Sequence, residues 1–316
     1  MSPRDHAIAF APASVGNVAV GFDVLGYSAS FIGDRVRVAR SSARGVRIAG
    51  ITGVVVDLPL AVERNTAGMA VAAMAEALDL DFGFELTIEK GIPLGSGLGG
   101  SAASAVAAVV AANALLDRPL DNLRLLKFAM QGEQVASGTA HIDNIAPSLY
   151  GGLVLCVGID DPHIKEIPVP STVRSVLVRP HRILETRGAR AILERTVPLS
   201  DVVWQQANLA GFVAGCFTAD LPLIAASLED VLIEPQRKAL IPGFDAVKNA
   251  AMSRGALGCS ISGAGPTMFA WAEEVKADQV RAAMVDAFRA EGITSDAWIT
   301  RIEPVGAKIV PEPPLG

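Results

Sequence analysis

The apolar and polar positions of this chain change period several times in its first half, and each change marks an element. Residues 7–11 are apolar and strand-like and stop at Pro12, and residues 31–39 alternate as a surface strand does. Asn65-Thr66 stands ahead of an Ala- and Met-rich run at 67–78, which predicts a capped helix. Phe84-Glu-Leu-Thr-Ile-Glu89 alternates with period two, the mark of a half-buried strand, and the Ala- and Val-rich run at 102–116 predicts a helix. Between 120 and 137, Leu123, Leu126, Met130 and Glu133 fall at spacings of three, four and three. A second helix therefore carries an apolar stripe with a carboxylate on it, and Gly138 ends it. Residues 139–147 read as a loop, 153–158 as a strand, and 160–170, with Pro162, Pro168 and Pro170, as a linker between two domains.

The second half reads as a strand at 175–179, helices at 201–219, 223–232 and 244–254, two strands flanking Gly263-Ala-Gly265, a helix at 275–291 and a last strand at 297–302. That β-α-β-β-α-β order suggests helices layered on an antiparallel, ferredoxin-like sheet. No internal repeat is present, and the one biased tail is the Pro-rich 311–316.

Composition narrows the class. A length of 316 residues suits two cores rather than one. With 51% hydrophobic and only 5% aromatic residues, the interior must be aliphatic and Ala-rich, as in a globular, soluble protein. A net charge of −6 gives no general attraction for nucleic acid or anionic membrane, so an anionic ligand has to be held locally. Cys156, Cys216 and Cys259 stand far apart in apolar sequence, as buried thiols of a reducing cytoplasm do. No secretory leader is expected at the N-terminus, and the run at 102–116 falls short of the ~20 residues that span a bilayer.

The chemistry centres on Gly91-Ile-Pro-Leu-Gly-Ser-Gly-Leu-Gly-Gly-Ser-Ala-Ala-Ser104, which joins the strand at 84–89 to the helix at 102–116. Gly95, Gly97, Gly99 and Gly100 remove side chains that would keep a ligand from the backbone, and they allow positive φ. Orphan N–H groups at the following helix start, with the Ser101 hydroxyl, make an anion cradle suited to phosphate. Gly95, Gly97 and Gly100 also fit the dinucleotide fingerprint, but the second strand with its acidic end is missing. A Walker loop is excluded because no Lys-Ser or Lys-Thr follows the last glycine; a ligand-free connector remains the alternative.

Other polar groups fall where they could serve such a cradle. Glu133 on an apolar stripe either snorkels to solvent or offers an oxygen to Mg²⁺, which takes one or two protein oxygens beside phosphates. His141, Asp143 and Asn144 crowd one short stretch, which suggests a pocket, although each taken singly reads as a turn or core residue. Arg179, Arg182, Arg187, Arg190 and Arg237 form either a solvated face or a carboxylate clamp.

Four segments in order, spread through nearly the whole chain, resemble the GHMP family of small-molecule kinases. They are Ala11-Pro-Ala-Ser-Val-Gly-Asn-Val-Ala-Val-Gly-Phe-Asp-Val-Leu-Gly26, Pro93 to Ala103, Glu133 with Ser137-Gly-Thr-Ala-His-Ile-Asp-Asn-Ile-Ala-Pro147, and Ser260-Ile-Ser-Gly-Ala-Gly-Pro-Thr-Met-Phe-Ala270. The first and third are similar to the homoserine kinase branch rather than to galactokinases or mevalonate kinases. The resemblance implies a two-domain α+β GHMP kinase fold. Its N-terminal nucleotide-binding domain, resembling ribosomal protein S5 domain 2, would take residues 1–160, and a C-terminal ferredoxin-like domain residues 161–316.

The implied cofactors are ATP and Mg²⁺, the implied substrate is L-homoserine, and the implied product is O-phospho-L-homoserine on the route to threonine. By resemblance, Pro93, Gly95, Ser96, Gly97, Leu98, Gly99, Gly100, Ser101, Ala102 and Ala103 wrap the triphosphate, Asn65 meets the adenine, and Ser101 and Glu133 hold the metal. Asn17, Asp23, His141, Arg190, Arg237 and Gly263 grip the amino acid. Asp23 would take the ammonium and the arginines the carboxylate, with Arg187 three residues from Arg190 as an alternative. Asn144 orients the reacting hydroxyl, Asp143 is the fallback base and Arg190 completes the catalytic set. Two departures stand out: Gly100 occupies the place of a first serine, and Val15-Gly16 that of a Ser-Ala pair. A cytoplasmic homodimer without nucleic-acid or membrane partners is expected. Alternatives within the resemblance are a kinase for another small alcohol and a non-catalytic sensor.

Overall fold

The computed structural model describes residues 5–138, 141–158 and 161–312. The elements of its first half are β1 (His6–Gly16), β2 (Leu25–Ser41), β3 (Gly45–Gly53), α1 (Thr66–Ala77), β4 (Gly83–Lys90), α2 (Gly100–Asn113), α3 (Asn122–Ser137), α4 (Ile142–Tyr150), β5 (Leu153–Val157) and β6 (His163–Ile167). The rest are β7 (Val173–Pro180), α5 (Thr186–Ala191), α6 (Leu199–Thr218), α7 (Leu221–Ser227), α8 (Glu234–Arg237), α9 (Phe244–Ser253), β8 (Ala256–Ile261), β9 (Met268–Glu273), α10 (Glu274–Ala290), β10 (Ser295–Thr300) and β11 (Lys308–Val310).

The first sheet runs β11-β1-β2-β4-β3, with β5 on β2 and β6 on β5. The long strand β2 has two neighbours on one side, β5 against residues 25–27 and β4 against 35–41. Its register against β1 slips at Pro12/Ala13, where Pro12 faces Gly33 and Ala13 faces Ala29. The extra residues bend the strand. Helix α2 is buried on nearly every side, from Ala102 through Val109 and again at Ala111 and Ala112. Its alanines let it thread between α1, α3, α4 and the sheet at close range.

The second sheet has the order β10-β7-β9-β8, all antiparallel, with helices between β7 and β8 and between β9 and β10. That is the ferredoxin-like arrangement the element order suggests. Its faces divide by period two. Val176, Val178, Met268 and Ala270 pack under α9 and α10. Leu177, Phe269 and Trp271 join the core of the first unit. Tyr27 seals that junction, edge-on to Phe269 and Trp271 at 6.0 Å and hydrogen-bonded to Ser175 at 2.7 Å. Each such aromatic pair contributes about 0.5–1.5 kcal/mol beyond its buried area.

Two expectations need correction, the linker at 160–170 and the loop at 139–147. Residues 160–170 are not a free linker, because 163–167 form β6 on the edge of the first sheet between Pro162 and Pro168. The first sheet also takes β11 from the far end of the chain, paired with β1. Residues 142–150 are helix rather than loop. Ile142, Ile145, Ala146 and Leu149 bury one face, and Pro147 sits within the helix. Pro147 has no N–H for the Asp143 carbonyl. A Cβ on residue 26 would lie 1.8 Å from that carbonyl, so only Gly26 lets α4 lie this close to β2.

Candidate active site

A cleft of about 760 Å³ opens between the two units. One end of it is built from backbone. Gly95, Gly97 and Gly99 have φ of 57°, 78° and 66°, and the Gly95 to Leu98 carbonyls are all taken by the surrounding body. Leu184 N–H donates to Gly95 O, the Thr267 hydroxyl to Ser96 O, the Ser262 hydroxyl to Gly97 O and Ser14 N–H to Leu98 O. A trans peptide carries its N–H opposite its C=O, so the N–H groups of residues 96–99 point away from these anchors. At the start of α2, Gly99 provides no side-chain cap. An uncapped helix start beside a row of N–H groups is an anion site. Side chains have no room at these glycines: a Cβ on Gly99 would meet Ser14 Oγ at 2.1 Å, and one on Gly97 would meet Ser262 O at 2.6 Å.

Ser101 Oγ, in the first turn of α2, donates to Glu133 Oε1 at 2.9 Å, and the His141 ring lies 3.6 Å from the same oxygen. Glu133 therefore faces inward from α3 and does not snorkel. Burial disfavours the charged His141, but the Glu133 hydrogen bond and the nearby Asp143 and Asp23 outweigh it and raise its pKa. Among the described residues no cluster of His, Cys, Asp and Glu could hold a metal unaided. Two oxygen donors beside an anion cradle are what Mg²⁺ takes when phosphates complete its shell, so Ser101 and Glu133 fit that ion.

Beneath the cradle lies a buried cluster that the sequence reading did not single out. Lys90 pairs with Asp34 and donates to Gly100 O and Ser104 Oγ, both at 2.8 Å. Asp34 also accepts the N–H groups of Gly91 and Ile92 at 3.0 and 3.1 Å. The cluster therefore fixes both ends of the glycine loop. Period two could have shown it, since Lys90 shares the buried face of β4 with Phe84, Leu86 and Ile88.

Side chains from four separate segments build the other end. Asn17, Val18 and Ala19 follow β1 with φ of 70°, 42° and 55°. Each left-handed non-glycine residue costs about 1–2 kcal/mol, so neighbouring groups must hold this turn. Asn17 N–H donates to Asp143 Oδ2 at 3.0 Å, Asn17 Nδ2 to Gly263 O at 2.8 Å, and Asp23 N–H to Asn17 Oδ1 at 3.1 Å. Arg190, from α5, forms a two-pronged pair with Asp23 and lies 3.2 Å from His141 Nε2. Arg237, from α8, is 4% exposed and donates to Ala189 O and Gly263 O. The Phe22 ring lies 5.4 Å from the Arg190 guanidinium and 5.2 Å from that of Arg237, a cation–π bridge between them.

Asp143 and Asn144 sit where the two ends meet. Asn144 Oδ1 accepts from Ser14 Oγ at 3.0 Å. Burial, reinforced by repulsion from Asp23, pushes the Asp143 carboxyl up to about 6, and its Oδ1 has no hydrogen-bond partner among the described residues.

Nearly all the expected site residues line this one cleft: Asn17, Asp23, Asn65, Pro93, Gly95 through Ser101, Glu133, His141, Asp143, Asn144, Arg190, Arg237 and Gly263. Ala102 and Ala103 do not. They are fully buried and pack into the core. Asn65 reaches the cleft, but its carboxamide caps α1 by accepting from Ala67 and Gly68 N–H and donates to Pro59 O. The side chain of Arg187 lies outside the described residues. Phe22, which stands inside the first motif without having been singled out, and Ile183 and Leu184, which lie outside any motif, also line the cleft.

Residues 65–152 match the GHMP kinase N-terminal domain and residues 212–290 the GHMP kinase C-terminal domain. A homoserine kinase of Xylella fastidiosa is 52% identical over 315 residues, covering 98% of this chain and 96% of that one. A homoserine kinase of Xanthomonas campestris is 52% identical over 306 residues, covering 96% and 94%. The crystal structure of a homoserine kinase from Cytophaga hutchinsonii superposes with a TM-score of 0.94 at 44% identity, covering 98% of this chain and 99% of that one. The chain belongs to the GHMP kinase family, in its homoserine kinase branch.

Proposed function

We propose that this protein transfers the γ-phosphoryl group of ATP to the side-chain hydroxyl of L-homoserine, giving O-phospho-L-homoserine and ADP. The observation that carries the reading is one cleft with an anion cradle at residues 95–101 and opposed charges, Asp23 against Arg190 and Arg237, at its other end. The cradle takes the triphosphate through backbone N–H groups, and Ser101 and Glu133 hold Mg²⁺. When bound, that ion neutralises charge on the transferring group.

An amino acid brings an ammonium and a carboxylate together. The ammonium goes to Asp23 and the carboxylate to Arg190 and Arg237, so a zwitterion replaces each half of the Asp23–Arg190 pair in kind. A ligand with only one charge leaves the other half unmatched. Asn144 orients the hydroxyl. Asp143 Oδ1, ionised above a pKa of about 6, is the acceptor for its proton. Phosphoryl transfer through a loose transition state needs positioning more than a strong base, so this acceptor contributes modestly.

ADP release with Mg²⁺-ATP and a panel of L-homoserine, D-homoserine, L-threonine, mevalonate, galactose and shikimate tests the reading. Strong turnover on L-homoserine alone is expected. Preference for another alcohol would overturn the substrate assignment, and ATP binding without turnover on any would mark a sensor.

A further inference from the structure

Beyond the residues assigned above, a ring of hydrogen bonds joins the arms of the amino-acid end. One side chain, Gln205, closes it. Gln205 lies in α6, is 9% exposed and is absent from the cleft lining. A buried carboxamide needs partners at both its ends. Gln205 finds them on two different loops: Nε2 donates to Val20 O at 3.2 Å, and Oε1 accepts Val231 N–H at 3.0 Å.

Val20 closes the left-handed turn that carries Asn17 and leads to Asp23. Val231 follows Asp230, whose carboxylate accepts the N–H groups of Leu232, Ile233 and Glu234 at 2.9, 3.0 and 2.8 Å and so starts the short helix bearing Arg237. On the far side Asn17 Nδ2 and Arg237 Nη1 share the Gly263 carbonyl, at 2.8 and 3.3 Å. The ring is then complete, with the 20-residue helix α6 as its rigid side.

We propose that Gln205 is a positioning residue that sets the distance between the ammonium arm, Asn17 and Asp23, and the carboxylate-binding Arg237, and thereby selects the substrate by chain length. The inference rests on the amino-acid reading of this end of the cleft. Gln205 touches no reactant, so its effect passes through the two arms alone.

Gln205→Glu keeps the size and the acceptor for Val231 N–H but puts an acceptor against the Val20 carbonyl. Gln205→Met keeps the volume and removes both bonds. Kinetics on the full-length protein compare each with the unmodified chain, and thermal melts identify the folded variants to be scored. The expected result is a KM for L-homoserine raised about tenfold, the cost of a lost buried hydrogen bond. The KM for ATP should stay within twofold, and the preference for L-homoserine over L-serine, whose hydroxyl is one carbon nearer, should narrow. An unchanged KM for L-homoserine in a folded variant overturns the proposal, as does a parallel rise in the KM for ATP, which marks general loosening. If the unmodified chain does not turn over L-homoserine at all, the underlying functional reading fails first. Normal turnover with indifferent variants defeats this inference alone.

Discussion

The two ends of the cleft are built on opposite plans. The end proposed for phosphate is one contiguous stretch, residues 95–101, that offers backbone N–H groups, with the carbonyls of residues 95–98 pinned by Leu184, Thr267, Ser262 and Ser14. The amino-acid end uses side chains from four segments that are far apart in sequence, with a strained turn as its floor. A backbone site tolerates no added side chain, whereas a side-chain site depends on the groups that hold its arms apart. Damage at the first end should appear in ATP binding or kcat, and damage at the second in the KM for the amino acid.

The largest effect is expected where the ends share charge. Glu133→Ala should lower kcat on the order of 10²–10³-fold, the scale of losing one transition-state electrostatic contact, with a smaller change in the KM for L-homoserine. Single-turnover kinetics measure it. Both constants staying within a few-fold would remove Glu133 from the metal site. Next, Arg237→Ala should raise the KM for L-homoserine about 10- to 100-fold, the range of a charged hydrogen bond, and leave the KM for ATP within about twofold. Equal rises in both would erase the distinction between the ends.

This contrast also explains what could be read in the sequence. The glycine loop is legible because its conformation is written locally, in Gly95, Gly97 and Gly99, between a period-two strand and an Ala-rich helix. Glu133 stood out as a carboxylate on an apolar stripe. Asp23, Arg190 and Arg237 could be joined only through family resemblance, since nothing local brings residues from the first loop, α5 and α8 together. Helix α4 was hidden by Pro147 and its polar start, although Ile142, Ile145, Ala146 and Leu149 already had helical spacing. Strand β6 was masked by flanking prolines. Gln205 was invisible because its partners are backbone atoms on two distant loops.

Gly97→Ala probes the backbone plan from the other side. Its φ of 78° and a Cβ 2.6 Å from the backbone Ser262 O force the loop to shift, which should raise the KM for ATP at least about tenfold, more than the KM for L-homoserine. Initial rates against ATP test this. The smallest change is expected from Asp143→Asn, where pH is the informative variable. With the carboxyl raised from 3.8 to about 6, the fold favours its protonated form, so stability falls as pH rises from 3.8 to about 6. Asp143→Asn should abolish that fall in pH-dependent melts. It should also flatten the acid limb of kcat/KM near pH 6 at a cost of only a few-fold in rate.

The central claim is that one end of the cleft recognises both charges of an amino acid at once. Its most direct test compares kcat/KM for L-homoserine with that for 4-hydroxybutanoate, which lacks the ammonium, and 3-aminopropan-1-ol, which lacks the carboxylate. The account predicts that each falls at least about 100-fold, because each leaves half of the Asp23–Arg190 pair without a counter-charge. Turnover of either analogue within a few-fold of L-homoserine would contradict it.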